Sequence, residues 1–173
     1  MTSVEQNLEK YISDLDISNR VKEISNEVSR IYCDKNPILI GILNGSFIFM
    51  SDLIRQLNID CEIDFIKISS YEGKKSIGNI NMTKGLDLDI KDRSVIIIED
   101  IIDSGKSINY IYDYISIFKP KDIAIISLLA KKSIPKLNFK IDFIGFEISS
   151  EFVVGYGLDY NQKLRNLKSI YKL

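Results

Sequence analysis

Residues 95–108, Val-Ile-Ile-Ile-Glu-Asp-Ile-Ile-Asp-Ser-Gly-Lys-Ser-Ile, constrain the fold of this chain more than any other segment. Val95–Ile98 is a short, wholly apolar, β-branched run. It suits a strand buried on both faces, and so a sheet covered on both sides. The run ends in two adjacent carboxylates, Glu99 and Asp100. A third, Asp103, opens Asp-Ser-Gly-Lys-Ser, and a helical pattern starts near Ser107. In an open α/β sheet, ligands sit in the crevice beyond the carboxyl ends of the strands. Amides of residues 104–107, at a helix start, would there face a phosphate. Two neighbouring acids suit the vicinal hydroxyls of a ribose, directly or through a divalent cation. Diol acceptors beside an anion cradle point to a phosphorylated sugar.

Two other readings compete for the same stretch. Gly105-Lys106-Ser107 matches the end of a Walker A loop, but that motif requires glycine at position 100, which here is Asp100. The plainer alternative is a strand, an acidic turn and an ordinary helix. Against it stand three acids in five residues followed by Ser-Gly-Lys-Ser.

A chain of 173 residues suits one domain with a substantial core. The net charge of -1 gives no general attraction to nucleic acid or an anionic membrane. The first ten residues lack a basic region followed by an apolar core, so no secretory signal is expected. The longest nearly apolar run, 123–130, is too short to span a bilayer. Cys33 and Cys61 lack a metal-ligand spacing, and a reduced, cytoplasmic setting is the expectation. The absence of histidine excludes Ser-His-Asp and Cys-His catalysis and histidine-based zinc sites. Proton transfer must then fall to Asp, Glu, Lys, Tyr or Cys, which suits a magnesium-dependent reaction with a carboxylate as acid or base.

Ser18 could cap a helix with Val21, Ile24, Val28 and Ile31 on its apolar face. After Pro37, residues 38–43 read as a strand, Asn44-Gly45-Ser46 as a tight loop, 47–57 as a helix and 61–69 as a strand. From 70 to 92 apolar residues thin out, giving either a plain surface hairpin or a mobile lid; long polar excursions between buried strands are more often functional. A helix over 107–118, the breaker Pro120 and strands over 123–129, 143–148 and about 152–154 complete the pattern. Alternating strands and helices predict an α/β fold, a mostly parallel sheet with helices on both faces. There is no internal repeat or domain linker.

The central stretch closely resembles the phosphoribosyl-pyrophosphate motif of type I phosphoribosyltransferases. Further segments extend the likeness from about residue 20 onward: Gly41-Ile42-Leu43-Asn44-Gly45-Ser46-Phe47, Ser69-Ser70-Tyr71, Leu128-Leu129-Ala130-Lys131, Asp142 to Glu147, and Phe152 to Tyr160. Together they resemble the hypoxanthine phosphoribosyltransferases of the 6-oxopurine salvage family. The resemblance implies a single domain: a five-stranded core over about 35–130, and a small hood from about 1–34 and 131–173. It also implies a reaction joining hypoxanthine, and guanine second, to phosphoribosyl pyrophosphate with magnesium, in a homodimer or homotetramer.

By the same resemblance, Glu99 and Asp100 hold the ribose hydroxyls, and with Asp159 they contact the metal. Asp103 takes or returns the purine N7 proton. Asp103, Ser104, Gly105, Lys106 and Ser107 hold the 5′-phosphate, although Ser107 also reads as a simple helix cap. Asn44, Gly45 and Arg165 meet pyrophosphate, with the bond before Asn44 held cis; the family commonly has a basic residue at that position. Lys131 donates to the 6-oxo group, Phe152 stacks on the base, and Val153 and Asp159 meet its edge. Ser70 and Tyr71 begin the closing loop. Without the resemblance, Lys131-Lys132 reads as a solvated strand end, Phe152 and Val153 as core, and Asp159 and Arg165 as surface charges. One rival reading is a catalytically idle member of the fold that senses phosphoribosyl pyrophosphate; it should carry a basic nucleic-acid surface. A phospho-accepting receiver domain is a third, but its acids should lie on the first strand.

Overall fold

The computed structural model describes residues 8–70, 80–134 and 137–173. In chain order the elements are β1 (Glu9–Ile12), α1 (Asp14–Tyr32), β2 (Ile38–Leu43), α2 (Phe47–Ile54), β3 (Glu62–Ser70), β4 (Ile80–Lys84), β5 (Ser94–Ile102), α3 (Lys106–Ser116), β6 (Asp122–Lys131), β7 (Phe143–Ile148), β8 (Val153–Val154) and β9 (Ile170–Lys172).

Among the described residues, six strands form the main sheet in the order β4-β3-β2-β5-β6-β7. The five from β3 to β7 in that order are parallel, as the sequence implies, and β4 adds an antiparallel edge. Period-two alternation splits the central strands between two cores. Leu39, Ile96 and Ile98 face the side packed by α1 and α2, while Ile38, Ile40, Val95 and Ile97 face α3. Burial of both faces explains why these strands are continuous apolar runs.

The chain runs from β2 to β3 on one side and reappears as β5 on the other, so the strand order reverses between β2 and β5. Their pairing stops at Gly41 and Ile98. Beyond that point β2 continues to Leu43 against β3, and β5 continues to Ile102 against β6. The two strands part, and a crevice opens at their carboxyl ends, the place where such sheets bind ligands. β5 is therefore longer than the apolar run Val95–Ile98 suggests: Glu99 and Asp100 lie within it, because β6 goes on pairing with it.

The structure corrects several boundaries. Ser13, not Ser18, caps α1, accepting a hydrogen bond from the Asp16 amide at 3.1 Å. The buried face is Ile17, Val21, Ile24, Val28 and Tyr32, with Ile31 turned outward. α2 ends at Ile54, short of the expected Leu57. α3 begins at Lys106 after the left-handed Gly105, so Ser107 lies inside the helix and does not cap it. The terminal ranges given to the hood also contain α1 and β7. β7 pairs in the main sheet, and the Arg20 guanidinium of α1 donates to the Ile144 and Gly145 carbonyls of β7 at 2.8 and 3.1 Å. Those contacts place α1 and β7 in the core. The hood sheet is β1-β9-β8, antiparallel throughout.

The polar excursion after β3 returns as β4, giving two hairpin arms. Ser70 ends β3 opposite Ile80, and Tyr71, the other expected lid residue, lies outside the described residues. The return is anchored by Asp64, which is 5% exposed. Its carboxylate accepts from the amides of Phe65, Asp87 and Leu88 and from Lys84 Nζ at 3.1 Å. Burial alone would raise the pKa of Asp64; the three amides and Lys84 outweigh it and hold the carboxyl below its ordinary value.

Asp64→Ala strands those donors and is expected to lower stability in urea at pH 7 by about 2–4 kcal/mol. Because the folded pKa is depressed, this stability is full above the unfolded value of about 3.9 and is lost as pH falls through the folded value. The gap between wild type and Asp64→Ala should close on acidification below about pH 4.

Candidate active site

The crevice between β2 and β5 has a volume of about 470 Å³. Its walls carry Glu99, Asp100, Asp103, Ser104, Gly105, Ser107 and Asp159, over an apolar floor that includes Ile42, Ile68 and Ile108. A second cavity of about 260 Å³ adjoins it, sharing Asp100, Ile101, Asp103 and Asp159 and adding Lys131, Glu151, Phe152, Val153 and Leu158. Residues that the sequence places far apart thus line one continuous site.

Glu99 is only 5% exposed, and Asp100 follows it directly. The Asp100 amide donates to Glu99 Oε1 at 3.2 Å, and Asp100 Oδ1 accepts from the Ile101 amide at 2.9 Å. Burial first, and then the negative charge of Asp100, push the Glu99 carboxyl well above its ordinary value. Burial also raises Asp100, against the pull of its hydrogen bonds and the positive charge of Arg165. Such a pair is stabilised in its ionised form by hydroxyl donors or a cation. Its donor chemistry therefore fits both a ribose diol and magnesium. Among the described residues, no three acidic, histidine or cysteine side chains gather closely enough to hold an ion alone. Asp159 faces the same crevice, yet it is held by Arg165 at 2.8 Å and by the Gln162 amide at 2.7 Å.

On the β2 side, the Leu43–Asn44 peptide bond is cis. The next residue must be glycine: a Cβ on Gly45 would overlap the Asp100 carboxylate. Ser46 then turns the chain into α2, its hydroxyl donating to the Ile42 carbonyl at 2.6 Å. Asn44 itself is exposed. On the β5 side, Gly105 adopts φ +75 at the start of α3, leaving the first-turn amides without intrahelical acceptors. Ser104, Gly105 and Ser107 line the crevice, whereas Lys106 is exposed and lines neither cavity.

The lysine pair after β6 divides. Lys132 is exposed, while the Lys131 side chain is 15% exposed and sits 3.0 Å from Asp103 Oδ2. Lys131 is thus no solvated strand end. Phe152 projects into solvent at 55% exposure, edge-on to Tyr160 at 6.2 Å, and Val153 is buried in β8. Asp159 and Arg165, which look like surface charges by local sequence, are an ion pair folded over the crevice. Arg165 also donates to the Gly157 carbonyl at 2.8 Å.

Sequence reasoning missed Ile101, Glu151 and Leu158, which line the second cavity. Leu158 lies inside the segment 152–160 already singled out, and Ile101 shares the strand-alternation face of Glu99, so weak signals existed for both. Glu151 had none.

Comparison with known proteins matches residues 12–161 to the phosphoribosyl transferase domain. The hypoxanthine phosphoribosyltransferase of Buchnera aphidicola is 44% identical over 165 residues, covering 94% of this chain and 93% of that one. The hypoxanthine-guanine phosphoribosyltransferase of Aquifex aeolicus is 40% identical over 166 residues, covering 95% and 93%. The crystal structure of a Staphylococcus aureus hypoxanthine phosphoribosyltransferase superposes with a TM-score of 0.91 at 38% identity, covering 100% of this chain and 96% of that one. The chain belongs to the phosphoribosyltransferase family, among its hypoxanthine phosphoribosyltransferases.

Proposed function

We propose that this enzyme transfers the 5-phosphoribosyl group of phosphoribosyl pyrophosphate to hypoxanthine, with guanine as second base, releasing pyrophosphate and forming IMP or GMP. The observation that carries the reading is the continuity of the two cavities. An acid pair and a helix N-terminus line one, a buried lysine and an exposed aromatic ring line the other, and Asp103 lies on both.

In this reading Glu99 and Asp100 fix the ribose through its hydroxyls. The first turn of α3, with the Ser104 and Ser107 hydroxyls, takes the 5′-phosphate. The backbone around Asn44 and Gly45 and the guanidinium of Arg165 take the pyrophosphate. Phe152 covers the purine, while Val153 and the backbone near Asp159 meet its edge. Lys131 turns from Asp103 to the 6-oxo group, and Asp103 exchanges the N7 proton. Magnesium, held by Glu99, Asp100 and Asp159 together with the substrate's oxygens, would neutralise the departing pyrophosphate. The remaining contribution of the protein is to hold a sugar and a base in line and to surround developing positive charge with fixed carboxylates.

The same reading places the enzyme in the cytoplasm as a homodimer or homotetramer, with no nucleic-acid partner. No helix of the described residues is long and apolar enough to cross a membrane. The rival regulator of the same fold is not supported: the relatives are named as hypoxanthine and hypoxanthine-guanine phosphoribosyltransferases.

Three outcomes test the assignment. In a panel of bases with phosphoribosyl pyrophosphate and magnesium, hypoxanthine should yield IMP and adenine should react poorly. The Lys131 ammonium can only donate, and facing a 6-amino group it is left unpaired at a cost of about 1–3 kcal/mol. Adenine turnover comparable to hypoxanthine would remove Lys131 from the role. Asp103→Asn should lower kcat by about 10²–10⁴, with phosphoribosyl pyrophosphate binding nearly unchanged in a titration. Asn44→Lys restores the charge common in the family at an exposed position worth about 1 kcal/mol or less, so KM for phosphoribosyl pyrophosphate should fall modestly at constant kcat.

A further inference from the structure

We propose that Tyr156 and Asp52 form a positioning pair that registers the C-terminal loop against the pyrophosphate side of the site. Their hydrogen bond would control affinity for pyrophosphate-bearing ligands without either residue touching them. The inference rests on the reading above, in which Gly45 and Arg165 meet pyrophosphate.

The Tyr156 hydroxyl donates to Asp52 Oδ2 at 2.7 Å, across 104 residues of chain. Tyr156 holds φ +50 between Gly155 at φ +97 and Gly157 at φ +100. Glycine enters that region freely and a bulky side chain rarely does. A tyrosine between two glycines there is kept for where its side chain goes, and the ring is 7% exposed.

Gly157, the next residue, is the hub of the loop. A Cβ there would overlap the Gly45 carbonyl, so the two backbones lie in contact. The Gly157 amide donates to the Arg165 carbonyl at 2.9 Å, and its own carbonyl accepts from the Arg165 guanidinium at 2.8 Å. Asp52 stands on α2, which starts immediately after Gly45-Ser46. The pair therefore ties the two loops together from behind: α2 carries Gly45 at its root, and Tyr156 carries Gly157 and Arg165.

The bond is not needed to satisfy a buried charge. The Asp52 side chain is 39% exposed and borders a separate cavity of about 280 Å³ between α1, α2 and the C-terminal loop. Water can replace the tyrosine hydroxyl there, so what its removal costs is register between the loops. The main base contacts stand apart from this linkage, because Val153 is held by β8–β9 pairing and Lys131 by β6; Leu158 and Asp159, which follow Gly157, are the base-side residues that the loop carries with it.

The test is steady-state kinetics in both directions on wild type, Tyr156→Phe, Asp52→Ala, Asp52→Asn and the double variant Tyr156→Phe/Asp52→Ala. Tyr156→Phe and Asp52→Ala should each raise KM for phosphoribosyl pyrophosphate and for pyrophosphate about three- to tenfold, the equivalent of one hydrogen bond. KM for hypoxanthine and for IMP should stay within about twofold, smaller than the loss of one hydrogen bond. The double variant should be no worse than either single one, since both remove the same bond. Asp52→Asn keeps an oxygen acceptor and should behave like wild type. An unchanged KM for phosphoribosyl pyrophosphate in both single variants, or a parallel rise for hypoxanthine, overturns the pairing. A wild-type protein that forms no IMP overturns the functional reading instead.

Discussion

Two carboxylates on adjacent residues of a buried strand are an electrostatic liability, and the site is arranged around relieving it. Burial raises the proton affinity of both carboxyls, and the charge of Asp100 raises that of Glu99 further, while hydrogen bonds pull Asp100 part of the way back. Nothing in an apolar sheet could compensate them at mid-strand. They are tolerable because β2 stops pairing with β5 at Ile98, which opens that edge just where the charges begin. The Asp100 carboxylate occupies the space a side chain on the facing loop would need, which is why Gly45 stands there. Gly157 packs on Gly45 in turn and delivers Arg165, whose charge reaches Asp100. One unfavourable pairing thereby dictates a strand end, two glycines and an arginine on three separate segments.

Much of this was legible in the sequence. β2 and β7 carry the boundaries expected of them, and the parallel sheet follows from buried, β-branched runs alternating with helical ones. The errors have physical causes. The length of β5 depends on the neighbour β6, which keeps pairing past the apolar run, and a local hydrophobicity argument cannot see a partner strand. Ser18 looked like a cap because the period beginning at Val21 is strong, yet Ile17 continues it by one turn toward Ser13. β7 lies in the terminal range that the resemblance gives to the hood, and its pairing with β6 and contacts with Arg20 are long-range facts that no local pattern shows.

The site was less legible than the fold, and unevenly so. Local chemistry singled out the acids and the Asp-Ser-Gly-Lys-Ser turn that line the crevice, since they are contiguous and consist of unusual neighbours. Lys131, Asp159 and Arg165 were readable only through family resemblance, because one charged residue at a strand end or in a loop is ordinary. What separates Lys131 from Lys132 is burial against Asp103, and what separates Arg165 from a surface arginine is the Gly157 carbonyl. Both depend on tertiary closure of the C-terminal loop.

The antiparallel hood has a consequence for the order in which the molecule is completed. The main sheet has all its strands once β7 ends at Ile148. β8 follows at once, but its partner β9 begins only at Ile170, and β9 is itself flanked by β1 from the opposite end of the chain. During synthesis the acid pair and the Ser104–Gly105 turn into α3 can therefore form on a nearly finished scaffold, while the wall carrying Phe152 and Val153 waits for the final strand. Joining β1 to β9 also closes a loop spanning almost the whole chain, the kind of non-local contact that forms late because its entropy must be spent before any pairing is gained. A nascent or partly melted molecule would thus present the crevice between β2 and β5 without the wall of the cavity that adjoins it.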